Sequence, residues 1–306
     1  MWRAISIGVL VCVAAAAQAV QFDWIKRSLF FAYTPSQFYF EHDRPVFASR
    51  NSIAQDLQLL RRYSDGLILY STDKSTDDIL TISHELNFNV VILGIWTITD
   101  KNEINRTIEL TRRYPKLVRA IAVGNEGLFW KRYTKAELAQ TMQAIRTALP
   151  DIALTTTEPF SSYLGTPTTL DCSNQDFLLP TIHPVFESWF SPSAMSQSVD
   201  FVDSIVTRLS KLCRKQVLVK ETGVPSGPAY AFYSEQQQRM FWQQLLVKVN
   251  AKPDVSVALF EAFDAPWKVT EMKKQSGKYD VRERYWGWFT HERKPKAVVD
   301  LLRVQH

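Results

Sequence analysis

The chain has 306 residues and a net charge of +5, an excess that is mild and unclustered. Basic pairs such as Arg61-Arg62, Arg112-Arg113 and Lys273-Lys274 are short and scattered, so they read as solvated helix or loop faces and no nucleic-acid partner is expected. The histidines, His84 and His183 among them, form no ligand spacing, which argues against a metalloenzyme.

Residues 1–19 carry the three parts of a secretory signal: Arg3, the apolar stretch from Ala4 to Ala17, and Ala17-Gln18-Ala19 as a small-residue cleavage site. The chain is therefore expected to begin near Val20 once processed, to be secreted or periplasmic, and to lose one arginine, taking the net charge from +5 to +4. A single membrane anchor is the competing reading. It is disfavoured because the apolar run falls short of the roughly 20 residues of a spanning helix, and no other segment is long and apolar enough to span. Residues 20–306 hold no low-complexity tract or long linker, and (β/α) barrels routinely reach this length as one unit. A monomer is expected.

Apolar, β-branched runs then recur with helical segments between them, the alternation of a parallel sheet. The predicted strands are Leu29 to Tyr33, Gly66 to Tyr70, Asn89 to Ile95, Arg119 to Val123, Ile152 to Thr156, Phe177 to Ile182, Gln216 to Lys220 and Val255 to Phe260. Amphipathic candidates lie between them, such as Ser52 to Arg62, with Ile53, Leu57 and Leu60 on one face, and Thr134 to Leu149, with Leu138, Met142 and Ile145 similarly spaced. Ser234-Glu235-Gln236-Gln237 has a capping-box pattern. The weak connection is Tyr163 to Asp171, which holds at most one short helix. The pattern predicts an α/β fold, a single (β/α)8 TIM barrel with a reduced fifth helix. A doubly wound open sheet is the alternative, but it would want a Gly-rich first turn, and Ala32-Tyr33-Thr34-Pro35-Ser36 is not one. Cys172 and Cys213 precede strands six and seven, so a disulfide between them is plausible and two free thiols remain the other reading.

In such a barrel the strand C-terminal ends converge on one face, where ligands bind. Strand one delivers Tyr33, strand three Trp96, strand four Asn125 and Glu126, strand six His183, strand seven Glu221, and strand eight Glu261 and Asp264. Glu126 and Glu221 each follow a buried-type run. Paired carboxylates are the minimum apparatus for cleaving a glycosidic bond, one donating a proton to the leaving oxygen, the other acting as nucleophile or base. A lone Glu at such a mouth could equally be held by Arg or Lys, so it is the pairing that points to chemistry. Trp96, Trp130, Trp189 and Trp267 also fall just after strands. Indole faces stack on the C–H faces of sugar rings, so these four read as a carbohydrate cleft, whereas Trp242, Trp286 and Trp288 read as packing.

Four segments carry a family resemblance: Val123-Gly124-Asn125-Glu126, Glu221-Thr222-Gly223-Val224-Pro225-Ser226, Phe260-Glu261-Ala262-Phe263-Asp264-Ala265-Pro266-Trp267-Lys268, and Glu283-Arg284-Tyr285-Trp286-Gly287-Trp288-Phe289. Their order and spacing resemble glycoside hydrolase family 17, the β-1,3-glucanases and β-1,3-glucan transglycosylases. The resemblance implies a retaining enzyme with Glu126 as acid/base and Glu221 as nucleophile, and it suggests that Lys268 and Glu283 belong to the catalytic neighbourhood. It implies a β-1,3-glucan substrate and no cofactor. Two positions depart from the pattern: Val224 stands where the family commonly has Trp, and Ala265 where it has Glu. A glucanosyltransferase and a secreted glucan-binding protein without turnover are the rival readings. Laminari-oligosaccharide products would separate them: shorter products mean hydrolysis, longer ones transfer, none a binder.

Overall fold

The computed structural model describes residues 22–165, 170 and 172–303. The expected leader, residues 1–19, lies outside them, as does most of the predicted 163–171 connection after its first turn. Helix α1 (Asp23–Arg27) precedes β1 (Phe30–Tyr33), a hairpin of β2 (Tyr39–Glu41) and β3 (Arg44–Val46), α2 (Arg50–Arg61), β4 (Gly66–Leu69), α3 (Thr76–Glu85) and β5 (Val90–Ile95). There follow α4 (Lys101–Arg113), β6 (Val118–Asn125), α5 (Lys135–Ala148), β7 (Ala153–Thr157), the short α6 (Phe160–Leu164), α7 (Met195–Cys213), β8 (Val217–Val219), α8 (Glu235–Asn250), β9 (Val255–Val257) and α9 (Lys268–Ser276). The result is a mixed α/β structure whose largest sheet is five parallel strands in the order β1-β4-β5-β6-β7.

Local chemistry sets the helix starts. Ser49 accepts a hydrogen bond from the Ser52 N–H and opens α2, whose Ile53, Leu57 and Leu60 are buried. Thr134 and Glu137 form a reciprocal capping box at α5, and Leu138, Met142 and Ile145 point inward. At α8 only half of the expected box forms. Ser234 accepts from the Gln237 N–H, but the Gln237 side-chain oxygen takes the Ser234 hydroxyl instead of a backbone N–H.

The second half of the strand set differs from the prediction. Phe177 to Ile182 is not a continuous strand; it makes single parallel bridges, Leu178 to Val217 and Thr181 to Pro159 and Glu221. Pro180 sits in its middle and has no N–H to donate to a ladder. β8 and β9 pair in parallel over three residues each, shorter than the runs that predicted them. Beyond β9 the chain stays beside β1: the Ala32 N–H donates to Leu259 O at 3.1 Å and the Leu259 N–H to Phe30 O at 2.8 Å. The β2–β3 hairpin was not anticipated. Its residues are largely exposed.

Alternation along the strands sorts the core into two layers. One is an outer layer between strands and helices. The other is an inner cluster with Phe30, Ile68, Ile92, Ala120, Ala153, Leu179, Leu218 and Ala258, one from each of the eight predicted strands. Phe22 and Ile25 close one end of this inner cluster, and Trp24 packs edge-on to Phe30 and Phe177. A disulfide joins Cys172 to Cys213, with their Cα atoms 5.6 Å apart.

Candidate active site

Residues two positions beyond the inner cluster, at the strands' C-terminal ends, share its inward direction. Ile68 leads to Tyr70, Leu179 to Thr181, and Leu218 to Lys220. The candidate carboxylates gather around these residues. Glu126 follows β6 in the left-handed region, at φ 53°, with its N–H bonded to Thr157 O at 2.6 Å. Its Oε1 accepts from the Thr181 hydroxyl at 2.6 Å and its Oε2 from the Trp130 indole N–H at 3.3 Å. Thr181 also bridges Glu221 through the backbone, and the Ile182 N–H donates to Glu221 O at 2.8 Å. A single residue therefore touches both candidate carboxylate positions.

Glu221 is buried, 8% exposed. Its Oε2 lies 3.4 Å from His183 Nε2, while its Oε1 is buried without a hydrogen-bond partner among the described residues. Next to it, Lys220 is 1% exposed, donates to Asn125 Oδ1 at 2.6 Å, and stands 4.0 Å from the Tyr70 ring centroid. Lys268 pairs with Glu261 at 2.7 Å. Glu283 is also buried.

The electrostatics divide these acids. Burial and then the Glu221 charge push Glu126 up, against the Thr181 hydrogen bond and His183. Burial would raise Glu221 too, but the His183 hydrogen bond and the Lys220 ammonium outweigh it, so Glu221 sits below the ordinary carboxylate value. Burial pushes Glu261 up to about 7 despite Lys268, and raises Glu283 against Lys268 and His183. It lowers Lys220 to about 8, with Glu221 and Glu126 pulling the other way. Burial, followed by the charges of Glu221 and Glu261, raises the Tyr70 hydroxyl well above its usual value. Two carboxylates with oppositely displaced acidities on one cluster are suited to proton donation and nucleophilic attack respectively.

Of the predicted rim residues, Asn125, Glu126, Trp130, His183, Glu221, Glu261, Lys268 and Glu283 come together in this network. Tyr33 and Asp264 are committed elsewhere. The Tyr33 hydroxyl donates to the buried Asp56 at 3.0 Å, and Asp264 Oδ1 accepts from Lys296 at 2.5 Å and from the Gly287 N–H at 3.0 Å. The tryptophans divide as well. Trp96 is 39% exposed, with the Arg132 guanidinium 4.4 Å from its ring. Trp189 packs against Phe201 of α7, and Trp267 against Phe38 and Phe40 beside the hairpin. Val224 and Ala265, the departing positions, are both buried, Val224 within the outer apolar layer.

Sequence reasoning missed Tyr70, Thr181, Lys220 and Glu158, and it assigned Trp286 wholly to packing although its ring lies 5.3 Å from His183. The available signal was parity, since a Lys or Tyr two residues beyond an inward apolar side chain points the same way. Glycine is required just after the candidate acid. A Cβ on Gly127 would lie 1.9 Å from the Tyr133 ring.

The model of the BtgE/BtgC glycoside hydrolase domain matches residues 31–287. A glucan 1,3-beta-glucosidase of Saccharomyces cerevisiae is 25% identical over 82% of this chain and 86% of its own; one of Arthroderma benhamiae is 27% identical over 69% and 71%. Among solved structures, an endo-laminarinase from Formosa superposes with a TM-score of 0.70 at 20% identity, covering 89% of this chain and 86% of its own. A Rhizomucor miehei beta-1,3-glucanosyltransferase, an active-site mutant in complex with laminaritriose, gives 0.68 at 16% identity over 88% and 96%. The family match spans all four motifs read from the sequence up to Gly287, and the chain belongs to the BtgE/BtgC glycoside hydrolase domain family.

Proposed function

We propose that the chain is a secreted, retaining glycosidase of β-1,3-glucan, working on a closed (β/α)8 barrel formed by residues 20–306. The barrel is supported by the parallel contacts that run from β7 through residues 177–182, β8 and β9 back to β1. The leader at 1–19 directs the chain out of the cytoplasm. The relatives named as glucan 1,3-beta-glucosidases support the linkage.

The observation that carries the chemistry is the pair Glu126 and Glu221, joined through Thr181, one acid raised and the other lowered. In the first step Glu221 Oε1 forms a bond to the anomeric carbon as the glycosidic C–O bond breaks, and the proton on Glu126 goes to the departing oxygen. In the second, Glu126 takes a proton from water, whose oxygen displaces Glu221 from the same carbon. Both side chains return to their starting states. Lys220 and His183 hold the negative charge on Glu221 until attack. The reaction requires Glu221 ionised and Glu126 protonated, so kcat/KM falls as pH drops through the lowered value and again as it rises through the raised one.

A fluorosugar bearing a good leaving group is expected to label Glu221 as a trapped ester that mass spectrometry locates. Glu221→Gln is expected to lower kcat by about 10⁴-fold with laminari-oligosaccharide binding retained. Glu126→Ala is expected to be rescued on dinitrophenyl glycosides and rescued further by azide. Labelling at another residue, or inverted product anomers, would sink the assignment. Shorter oligosaccharide products are expected from laminarin, and little turnover of cello-oligosaccharides.

A further inference from the structure

Glu158 follows β7 and is fully buried, yet the retaining mechanism gives it no role. Its side chain gathers the loop that follows Glu126. Oε1 accepts from the Leu128 N–H at 2.8 Å and from the Tyr133 hydroxyl at 3.2 Å, and Oε2 accepts from the Phe129 N–H at 3.2 Å. Tyr133 Oη in turn accepts the Gly127 N–H at 3.2 Å. That loop carries Trp130, whose indole donates to Glu126 Oε2. The backbone of Glu158 works from the other side: its carbonyl accepts the Thr181 N–H at 3.1 Å, and the Thr181 hydroxyl donates to Glu126 Oε1.

Both donors that fix the Glu126 carboxylate are thus fastened to one residue, Trp130 through its side chain and Thr181 through its main chain. We infer that Glu158 is the positioning residue for proton donation, holding the Glu126 carboxyl in the orientation that delivers its proton to the leaving oxygen. The inference rests on Glu126 being the acid/base. Only an acceptor on both oxygens suits this place, because the two loop N–H groups and the Tyr133 hydroxyl all donate. A Gln amide would set an NH2 against one of them and leave a buried donor unpaired.

The position of Glu158 separates its effect from general support of the fold. If it acts through Glu126, its loss should matter where the leaving group needs a proton and little where it does not. Glu158→Gln is expected to lower kcat/KM on laminari-oligosaccharides by about 10- to 100-fold, a part of what a general acid contributes, while kcat/KM on a dinitrophenyl laminarioside, which reports the first step alone, changes less than about threefold and the fluorosugar still labels Glu221 at the wild-type rate. Tyr133→Phe keeps the carboxylate and removes one of its three donors, so it is expected to show the same split at smaller size and serves as the second variant if Glu158→Gln does not fold. Equal losses on both substrates in a folded variant, or no loss on either, would overturn the inference. Failure of the wild-type enzyme to label at Glu221 would instead overturn the parent assignment, whatever the variants do.

Discussion

The two candidate carboxylates sit on unlike halves of the strand set. Glu126 leaves β6, the eight-residue strand between β5 and β7 of the regular five-stranded sheet. Glu221 leaves β8, three residues long, whose neighbour on one side is the bridge-only segment 177–182. The regular half is held by backbone ladders of three to five paired residues, with a register shift on each side of β6. The sparse half is pinned by buried side chains: Lys220 to Asn125, Lys268 to Glu261, and Lys296 to Asp264 and Ser226. Charged groups that would be costly to bury alone are tolerated there because each finds a partner. The difference teaches where part of the lowered pKa of Glu221 comes from. Of the ammonium groups that reinforce the thin ladders, Lys220 and Lys268 also stabilise its negative charge, alongside the His183 hydrogen bond.

The sharpest way to break the comparison is to loosen the sparse half alone. The Cys172–Cys213 disulfide closes a 41-residue span that contains the bridge-only segment and α7, and the chain-entropy model gives it roughly 4 kcal/mol. Replacing both cysteines by Ala should lower the unfolding free energy by up to about that amount, with hydrogen exchange rising first around β8 rather than β5 or β6. Uniform exchange across both halves would mean that the two unfold as one unit.

A smaller effect should follow from removing one of the cations. With Lys220→Met, Glu221 loses a neighbouring positive charge, so its acidity returns toward the ordinary carboxylate value and the acidic limb of kcat/KM should move up by about one pH unit. The alkaline limb, assigned to Glu126, should move up by less, because Lys220 interacts with Glu126 as well but more weakly than with Glu221. An unmoved acidic limb would leave His183 and Lys268 as the stabilisers of the Glu221 charge.

The smallest expected change separates the tryptophans. Trp96→Ala should weaken laminari-oligosaccharide binding by about 1–3 kcal/mol, the scale of one large apolar side chain. Trp189→Ala should leave binding near wild type and cost stability instead, since its ring is spent on Phe201. Titration calorimetry and thermal unfolding read the two quantities separately. Reversed outcomes would place the sugar path along α7.

The sequence was legible in proportion to how much of each element is decided locally. The runs at 66–69 and 90–95 are apolar throughout and became buried strands within a residue or so of the prediction. Phe177 to Ile182 looked equally strong by composition, but Pro180 within it removed a donor and the ladder became bridges. The places of Glu126 and Glu221 could be read because each ends an apolar run. Asp264, Trp189 and Trp267 could not, because a position after a strand says nothing about which way a side chain turns, and Tyr33, three residues past the inward Phe30, turns to the outer layer. Their partners, Asp56, Lys296, Phe201 and Phe38, come from distant parts of the chain. Lys220 and Thr181 were within reach of a parity argument, since each lies two residues beyond an inward apolar side chain.

In the proposed barrel, the aromatic residues that Phe22 and α1 set under the inner cluster would close that end of the interior. Phe22 and Trp24 meet Phe177 there, and Trp24 meets Phe30, so in that barrel the carboxylates exchange protons and water with the bulk through the opposite opening. An oligosaccharide lying across that opening would cover the same route. Water would be excluded, the effective dielectric around Glu126 and Glu221 would fall, and every charge interaction between them would strengthen as substrate binds.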